Sequence, residues 1–177
     1  MTNLYDDIAP IYDKKFSTED CQKENYDIKA MIGYNGGKVL DIGCGTGLLL
    51  ELFNIDEDEY VGIDPSGKML EIAHSKFPGH IFIVSDFETF PQRGKYDYVI
   101  CLFGAVSHIS PNSIKQIKSH VKDGGKYFLM FYKPEYTPEI YRDIVATIYR
   151  GNENLIDGET VEYHNYIIKA GRAGKND

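Results

Sequence analysis

The chain has 177 residues, of which 42% are apolar and 26% are charged, and its formal net charge at pH 7 is −8. This length supports one domain with a substantial core. The acidic balance argues against a surface that neutralises the phosphates of a nucleic acid. No stretch approaches the ~20 apolar residues that span a bilayer, and the N-terminus lacks a signal-peptide pattern.

The three cysteines are odd in number and widely spaced. Their spacing indicates neither a disulfide framework nor a metal site, so no metal is expected. A reducing, cytoplasmic compartment fits this cysteine usage best.

The first thirty residues predict a helical lid. Leu4, Ile8, Ile11 and Phe16 recur at roughly helical spacing, and Pro10 interrupts the pattern. One or two helices packed over the edge of a sheet are therefore expected.

Five apolar runs alternate with helical patterns farther along the chain. This alternation is typical of an α/β, Rossmann-like, doubly wound fold, with a mainly parallel sheet and helices on both faces. The predicted strands are 38–42, 60–64, 80–85, 96–103 and 125–132. The predicted helices are 47–53, 66–76 with Pro65 in the first turn, and 112–121 with a stop at Asp123, Gly124 and Gly125. Residues 85–95 are expected to form a loop.

The C-terminal pattern is less regular. We expect a helix over 138–150, and one strand over 160–169 that follows a turn at Asp157 and Gly158. The polar segment from Ala170 to the end is expected to be disordered.

The stretch VLDIGCGTG, residues 39–47, carries glycine at every second position after an apolar strand. Gly43, Gly45 and Gly47 permit a tight strand-to-helix turn and allow a ligand to contact main-chain atoms. Ligands of open parallel sheets bind outside the carboxyl ends of the strands, where this loop is expected. A purely structural turn is the alternative, but three alternating glycines favour a ligand loop. Leu48 stands where a dinucleotide-binding loop has its third glycine, which argues against NAD.

Four further stretches follow this loop, namely YVGIDPSGKMLEIA, FIVSDFETF, KYDYVICLFGAVSHI and VKDGGKYFLMFY. In order and spacing the five motifs, which span residues 38–132, resemble the class I S-adenosylmethionine-dependent methyltransferases. YDDIAPIYDKKF at 5–16 resembles the N-terminal lid of that family, and CLFGAVSHI resembles its small-molecule N-methyltransferases of the amino-sugar type. The implied organisation is one domain over 1–177, with a lid at 1–30, a cofactor-binding core at 31–135 and a C-terminal helix and strand at 136–177.

The resemblance implies S-adenosyl-L-methionine as the cofactor and S-adenosyl-L-homocysteine as the product. It implies that a methyl group is transferred to an N or O atom of a small-molecule acceptor, with no nucleic acid or membrane as partner. The implied cofactor-binding residues are Tyr12, Asp41, Gly43, Cys44, Gly45, Asp64, Pro65, Met69, Asp86, Phe87, Leu102 and Phe103.

The resemblance also implies a role for each part of this set. Asp41 and the main chain at Gly43 and Gly45 would hold the methionine part of the cofactor. Asp64 would accept hydrogen bonds from the ribose hydroxyls, and its alternative role is a helix N-cap. Asp86 would accept a hydrogen bond from the adenine amino group, and its alternative is a solvated loop position.

Apolar contacts to the adenosyl group are implied as well. Pro65 and Met69 would pack against the adenine and ribose, and the Phe87 amide would face a ring nitrogen. Leu102 and Phe103 would line the other side of the ring and the approach to the methyl group. Packing in the core is the alternative for Met69 and Phe103.

Two residues are candidates for the chemistry. In-line methyl transfer depends mainly on alignment and exclusion of water. His108, after the fourth strand, is a candidate base for an amine or hydroxyl acceptor, and a structural histidine is the alternative. Tyr12, like Tyr5, is a candidate to cover the cofactor, bond its carboxylate or face the sulfonium, and ordinary packing is the alternative.

Other functions are weighed against these motifs. No (D/N)PPY-like sequence follows the fourth strand, which argues against flipped-base DNA chemistry. No paired acidic residues indicate a Mg²⁺ site. A cofactor-binding protein without transferase activity and an NAD-dependent oxidoreductase remain as alternatives.

Full members of the family end with a helix and an antiparallel strand pair. Residues 154–169 are therefore either that final element or a hairpin over the substrate with the last elements absent. In the second case the chain has a shortened C-terminal end. The exposed sheet edge after the fifth strand would then favour a homodimer.

Overall fold

The computed structural model of the chain describes residues 4–91, 94–141 and 147–174. Its strands are β1 (Val39–Ile42), β2 (Tyr60–Asp64), β3 (Ile81–Val84), β4 (Tyr96–Cys101), β5 (Val121–Tyr132), β6 (Glu159–Tyr163) and β7 (Tyr166–Arg172). They form one sheet in the order β3-β2-β1-β4-β5-β7-β6. Strands β1 to β5 pair in parallel, while β7 runs antiparallel to β5 and to β6. The predicted α/β, Rossmann-like fold with a mainly parallel sheet is confirmed.

Helices cover the sheet on both faces. They are α1 (Leu4–Lys15), α2 (Glu19–Ile32), α3 (Leu48–Leu52), α4 (Gly67–Lys76) and α5 (Pro111–Ile114). Single 3₁₀ turns occupy Ala105–His108, Ile117–His120, Glu139–Tyr141 and Asn152–Leu155. Within the described ranges, no helix combines the length and the apolar character needed to cross a membrane.

Alternate residues of the central strands enter two separate cores, as the pleat of a strand requires. Val39 and Ile100 pack on the side of α2, α3 and α4. Leu40 and Cys101 pack on the opposite side, against α5 and the 3₁₀ turns. The second face therefore rests on short helical pieces.

The segment predicted to be a lid forms two helices, but the break predicted at Pro10 is wrong. Pro10 lies inside α1. The chain breaks after Lys15 instead, because the side chain of Thr18 accepts a hydrogen bond from the Cys21 N–H and caps α2. Ile11 and Phe16 are exposed, whereas the buried Ala9 lies on the face that α1 turns to the protein.

The helix predicted over 112–121 is also wrong. Ser110 caps the four-residue α5, with Pro111 in its first turn, and the chain then forms a 3₁₀ turn. The predicted stop at 123–125 lies within β5, where the register with β4 shifts. Gly124, at φ 75°, is part of this irregularity. Pro65, predicted in a first helical turn, precedes the actual cap of α4, Ser66.

The C-terminal segment forms the final antiparallel pair. The strand predicted over 160–169 is two strands, because the chain reverses at His164, which has φ 47°. β7 pairs along the edge of β5, so the argument for a homodimer at that edge no longer applies. Of the tail predicted to be disordered, residues 170–172 belong to β7 and Ala173 is buried, while residues 175–177 lie outside the described ranges. Of the helix predicted over 138–150, only the turn Glu139–Tyr141 is observed, residues 142–146 lie outside the described ranges, and 147–150 are not helical.

Gly104 fixes the turn that follows β4. It has φ 84°, and a Cβ built there would lie 2.0 Å from the ring of Tyr132. We expect Gly104→Ala to lower the free energy of unfolding by about 2–4 kcal/mol, through left-handed strain and overpacking. Gly67→Ala is the matched control, because no atom lies within 4 Å of its Cβ position. It should leave stability unchanged or raise it by about 0.4–1 kcal/mol. Equal midpoints of urea unfolding for both variants would contradict this prediction.

Candidate functional site

A cavity of about 400 Å³ opens at the carboxyl ends of β1, β2 and β4. Its volume lies in the range of roughly 300–1,000 Å³ that is typical of small-molecule sites. The structure brings every predicted site residue to its wall, namely Tyr12, Asp41, Gly43, Cys44, Gly45, Asp64, Pro65, Met69, Asp86, Phe87, Leu102, Phe103 and His108. What each of them binds stays a prediction.

The glycine loop lines the cavity, and its backbone adopts left-handed conformations. Gly43 and Gly45 have φ 70° and 54°. Their N–H groups already donate, to the Ile63 carbonyl at 2.8 Å and to Asp64 Oδ2 at 3.0 Å. Their carbonyl oxygens are therefore the main-chain groups left for a ligand cation. Gly47 does not line the cavity, since its missing Cβ makes room for the ring of Phe77.

Asp64 joins the loop after β1 to the loop after β2. Its Oδ2 accepts from the Gly45 N–H, and its Oδ1 accepts from the Ser66 N–H at 2.8 Å. The N-cap of α4 is Ser66, so the alternative of Asp64 as that cap is wrong. Burial raises the pKa of Asp64 to about 6, although the two backbone hydrogen bonds act to lower it. Each carboxylate oxygen keeps a further lone pair for ligand hydroxyls.

Asp41 lies deeper, with 3% of its surface exposed. Its Oδ2 accepts a hydrogen bond from the fully buried Tyr60 hydroxyl at 2.9 Å. Burial raises the pKa of Asp41 to about 7, and the nearby charge of Asp64 also raises it. A cation bound beside this pair would favour the ionised carboxylates, because it supplies the missing opposite charge.

Part of the remaining wall is apolar. Met69, Phe87 and Leu102 are buried side chains of the cavity. Asp86 stands exposed at the rim, and its Oδ1 accepts from both the N–H and the hydroxyl of Thr89. The hydrogen bonds of this turn occupy one carboxylate oxygen of Asp86, which agrees with the alternative that Asp86 is a solvated loop residue. Among the described residues, Oδ2 keeps its acceptor capacity.

Helix α1 is tied to both ligand loops. Asp13 accepts from the Thr46 hydroxyl at 2.5 Å and pairs with Lys76 at 3.0 Å. Asp6 accepts from the Ser66 hydroxyl at 2.6 Å. Tyr12 projects from the same helix into the cavity, and burial raises its pKa to about 12, so it stays a phenol at neutral pH.

His108 is engaged at both ring nitrogens. Nδ1 lies 2.7 Å from the Thr147 carbonyl, which can only accept, so Nδ1 carries the proton. Nε2 then accepts from the Tyr141 hydroxyl at 3.0 Å, and that hydroxyl also contacts the hydroxyl of Tyr5. Burial lowers the pKa of His108, so the ring is neutral at pH 7. The Tyr141 hydroxyl thus links His108 Nε2 to the Tyr5 hydroxyl.

Sequence reasoning missed several residues of this site. Nothing in the sequence around Tyr141 indicates a site residue, because this segment comes close to the site only when the chain folds. Thr46 lies inside the glycine motif, but the pattern of alternating glycines assigns it no role. Asp6 and Asp13 lie seven residues apart, two helical turns, and this spacing was the available signal for a face that binds the loops. Within the described ranges, no group of three or more His, Cys, Asp or Glu side chains is placed to hold a metal ion.

Known proteins similar to this chain include methyltransferases. Residues 39–125 match a methyltransferase domain family. A dTDP-3-amino-3,4,6-trideoxy-alpha-D-glucopyranose N,N-dimethyltransferase of Streptomyces venezuelae is 25% identical over 76% of this chain and 56% of its own length. The chain spans about half the length of the first curated relatives, 49%, 45% and 56%.

Solved structures show the same fold. Streptomyces venezuelae DesVI superposes with a TM-score of 0.71 at 16% identity, covering 94% of this chain and 98% of its own. CalS10 of Micromonospora echinaspora, an amino pentose methyltransferase solved with S-adenosylmethionine bound, superposes with a TM-score of 0.55 at 24% identity, covering 86% of this chain and 63% of its own. Together with the glycine loop and the two strand-end carboxylates, these matches show that the chain belongs to the class I S-adenosylmethionine-dependent methyltransferase family.

Proposed function

We propose that this chain transfers a methyl group from S-adenosyl-L-methionine to an N or O atom of a small-molecule acceptor. The observation that carries the proposal is the convergence of Asp41, Asp64 and the glycine loop on one cavity that also has a buried apolar wall. The family uses this cofactor, and the amino-sugar relatives support a small acceptor.

The chemistry of the cavity fits the cofactor. One end offers the Asp41 carboxylate and the carbonyls of Gly43 and Gly45, which suit an ammonium group. Asp64 offers acceptor positions that suit a pair of hydroxyls. Between Met69 and Leu102 the walls are apolar, which suits an adenine ring. Glycine is needed at position 43, because a Cβ there would lie 2.5 Å from the side chain of Ala105.

When bound, S-adenosylmethionine supplies an electrophilic methyl group on a sulfonium sulfur. The task of the chain is to position the acceptor and to exclude water. Tyr12 and Tyr5, held over the cavity by the anchored α1, close it from the solvent side. Their phenol oxygens and ring faces also suit a neighbouring positive charge.

His108 and Tyr141 supply a route for the proton of the acceptor. In this proposal, the acceptor gives its proton to the linked hydroxyls of Tyr5 and Tyr141, and the Tyr141 proton passes to His108 Nε2. The Thr147 carbonyl stabilises the charged ring through Nδ1. The proposal assigns His108 as the base that acts through Tyr141.

The location and organisation are proposed as well. We propose that the lid (1–30), the core (31–135) and the C-terminal segment (136–177) act as one domain in the cytoplasm. The free thiols of Cys44 and Cys101, both buried, support a reducing compartment.

Two alternatives make different predictions. A cofactor-binding protein without activity would bind S-adenosylmethionine and methylate nothing in an acceptor panel. An oxidoreductase would bind NAD, although Leu48 begins α3 where a dinucleotide loop needs its third glycine.

The cofactor assignment is tested at Asp64. We expect calorimetry to show binding of S-adenosylmethionine but not of NAD, and Asp64→Asn to weaken that binding by about 1–3 kcal/mol through lost charge-assisted bonds. Asp97→Asn is the control, because Asp97 also accepts a backbone N–H, that of Lys38, but does not line the cavity. Binding of NAD in preference to S-adenosylmethionine would refute the proposed function.

The raised pKa of Asp41 predicts pH-dependent affinity. With a pKa of about 7 in the free protein, Asp41 is protonated below neutral pH, and a bound ammonium favours its ionised form. Affinity for S-adenosylhomocysteine should therefore fall by about tenfold from pH 8 to pH 6 and level off above pH 8. Titration calorimetry across this range measures the slope. Asp41→Asn should bind weakly and lose most of the slope between pH 7 and pH 8, and a flat wild-type profile would exclude Asp41.

The proton route is tested at His108. We expect His108→Asn to lower kcat by about 10²-fold, because a neutral amide cannot take the proton. Tyr141→Phe should produce a similar loss, since it breaks the link to the cavity. The affinity for S-adenosylhomocysteine should stay within about twofold in both variants, because the loss lies in kcat. Unchanged turnover in His108→Asn would remove this residue from the mechanism.

A further inference from the structure

A second cavity, of about 500 Å³, adjoins the cofactor cavity. The two cavities share the wall residues Tyr5, Tyr12, Thr46, Leu48 and Phe103. A molecule in the second cavity therefore lies directly beside the proposed cofactor. We call this space the acceptor cavity.

Aromatic rings form one wall of the acceptor cavity. Tyr132 ends β5 and stands opposite Tyr166 at the start of β7, with ring centroids 5.7 Å apart. The ring of Tyr136 lies 5.8 Å from Tyr132, and that of Phe103 lies 5.9 Å from Tyr166. Such a wall attracts cations through the negative faces of its rings.

The charged lining groups of the acceptor cavity are all acidic. Within the described residues, the lining includes Asp13, Glu24 and Glu51 and no lysine, arginine or histidine. Lys76 pairs with both Asp13 and Glu51, so these two carboxylates already have a counter-ion.

Glu24 on α2 is different. It makes no hydrogen bond or ion pair with a described residue, although it is half-buried. Burial raises its pKa, as does Asp27, while His164 acts in the opposite direction. Glu24 lines the same cavity as Tyr136 and Tyr166, and its charge raises the pKa of both hydroxyls. No ion pair with a described residue neutralises this carboxylate.

We propose that the acceptor cavity binds an organic amine that carries no phosphate, with its ammonium group held between Glu24 and the rings of Tyr132, Tyr136 and Tyr166. This inference rests on the proposed function, because it names the acceptor of that reaction. The aromatic wall supplies contact for the carbon skeleton of the amine, and Glu24 supplies the charge.

The same features disfavour the substrate class for which one relative is named. The Streptomyces venezuelae relative is named for a dTDP-linked amino sugar, and a dTDP group carries two phosphates. A diphosphate needs arginine, lysine or helix N-termini as partners. In the described lining it would meet Glu24 instead, at a cost from like-charge repulsion.

The reaction balances with an amine acceptor. The bound ammonium first loses a proton through the linked hydroxyls of Tyr5 and Tyr141 to His108 Nε2, which frees the nitrogen lone pair. That pair forms the new N–C bond, while the C–S bond breaks and leaves its electrons on sulfur. The product leaves as an N-methylammonium ion, and the sulfonium becomes a neutral thioether.

The test uses calorimetry on the full chain, with S-adenosylhomocysteine present and absent. The probes are 2-phenylethylamine, tyramine and cyclohexylamine, each compared with the alcohol in which hydroxyl replaces the amino group. We expect amines to bind about tenfold more tightly than their alcohols, and Glu24→Gln to remove most of this difference. Glu19→Gln, an exposed change on the same helix, should have no effect.

Three results would overturn this inference. The first is equal affinity for amines and alcohols in the wild-type chain, and the second is an amine preference that survives in Glu24→Gln. The third is tighter binding of a dTDP-linked amino sugar than of every amine tested. Any of these results, with intact binding of S-adenosylmethionine, leaves the proposed function standing. Loss of S-adenosylmethionine binding in the wild-type chain would instead refute the proposed function itself.

Discussion

The structure of the site depends on one carboxylate that bridges two loops. Asp64 ends β2 and accepts the N–H of Gly45 from the loop after β1 and the N–H of Ser66 at the start of α4. These bonds hold a left-handed loop in place at the end of a parallel sheet, where neighbouring strands present their carboxyl ends together. Burial raises the pKa of this carboxylate to about 6. It can therefore accept hydrogen bonds from hydroxyl groups, and a nearby positive charge would stabilise its ionised form.

The lid is attached to the same two loops. Asp13 bonds to Thr46 in the first loop, and Asp6 bonds to Ser66 in the second. The position of α1 is therefore linked to the position of the groups that would hold the cofactor. Tyr5 and Tyr12 of this helix line both the cofactor cavity and the acceptor cavity. The coupling is physical, because one rigid helix carries both sets of contacts.

The two cavities differ in what they can recognise. The cofactor cavity combines bare backbone with buried carboxylates, and it is built from the motifs of the family. The acceptor cavity is lined mainly by α1, α2, the end of β5 and the start of β7. Its lining combines aromatic rings with acidic side chains, and this combination is the basis for the proposed amine acceptor.

The sequence by itself determined where the parallel strands lie along the chain, the glycine loop and many of the residues that line the cofactor cavity. These features follow from local patterns: alternating apolar strands, glycines at positive φ, and side chains at strand ends that meet because the strands are parallel. Contacts between distant segments could not be predicted in this way. The 112–121 pattern had helical periodicity, yet the chain there forms the short α5 and a 3₁₀ turn, which bury Ile114 and Ile117 in the core on that face.

Tertiary structure alone decided the remaining features. β7 covers the edge of β5 because a reversal at His164, a residue without a strong turn signature, divides one apparent strand into two. His108 meets Tyr141 across 33 residues, and Glu24 reaches the tyrosines of β5 and β7 only after α2 has packed against the sheet. Such pairings depend on where whole elements dock, and the spacing of residues within a segment carries no information about that docking.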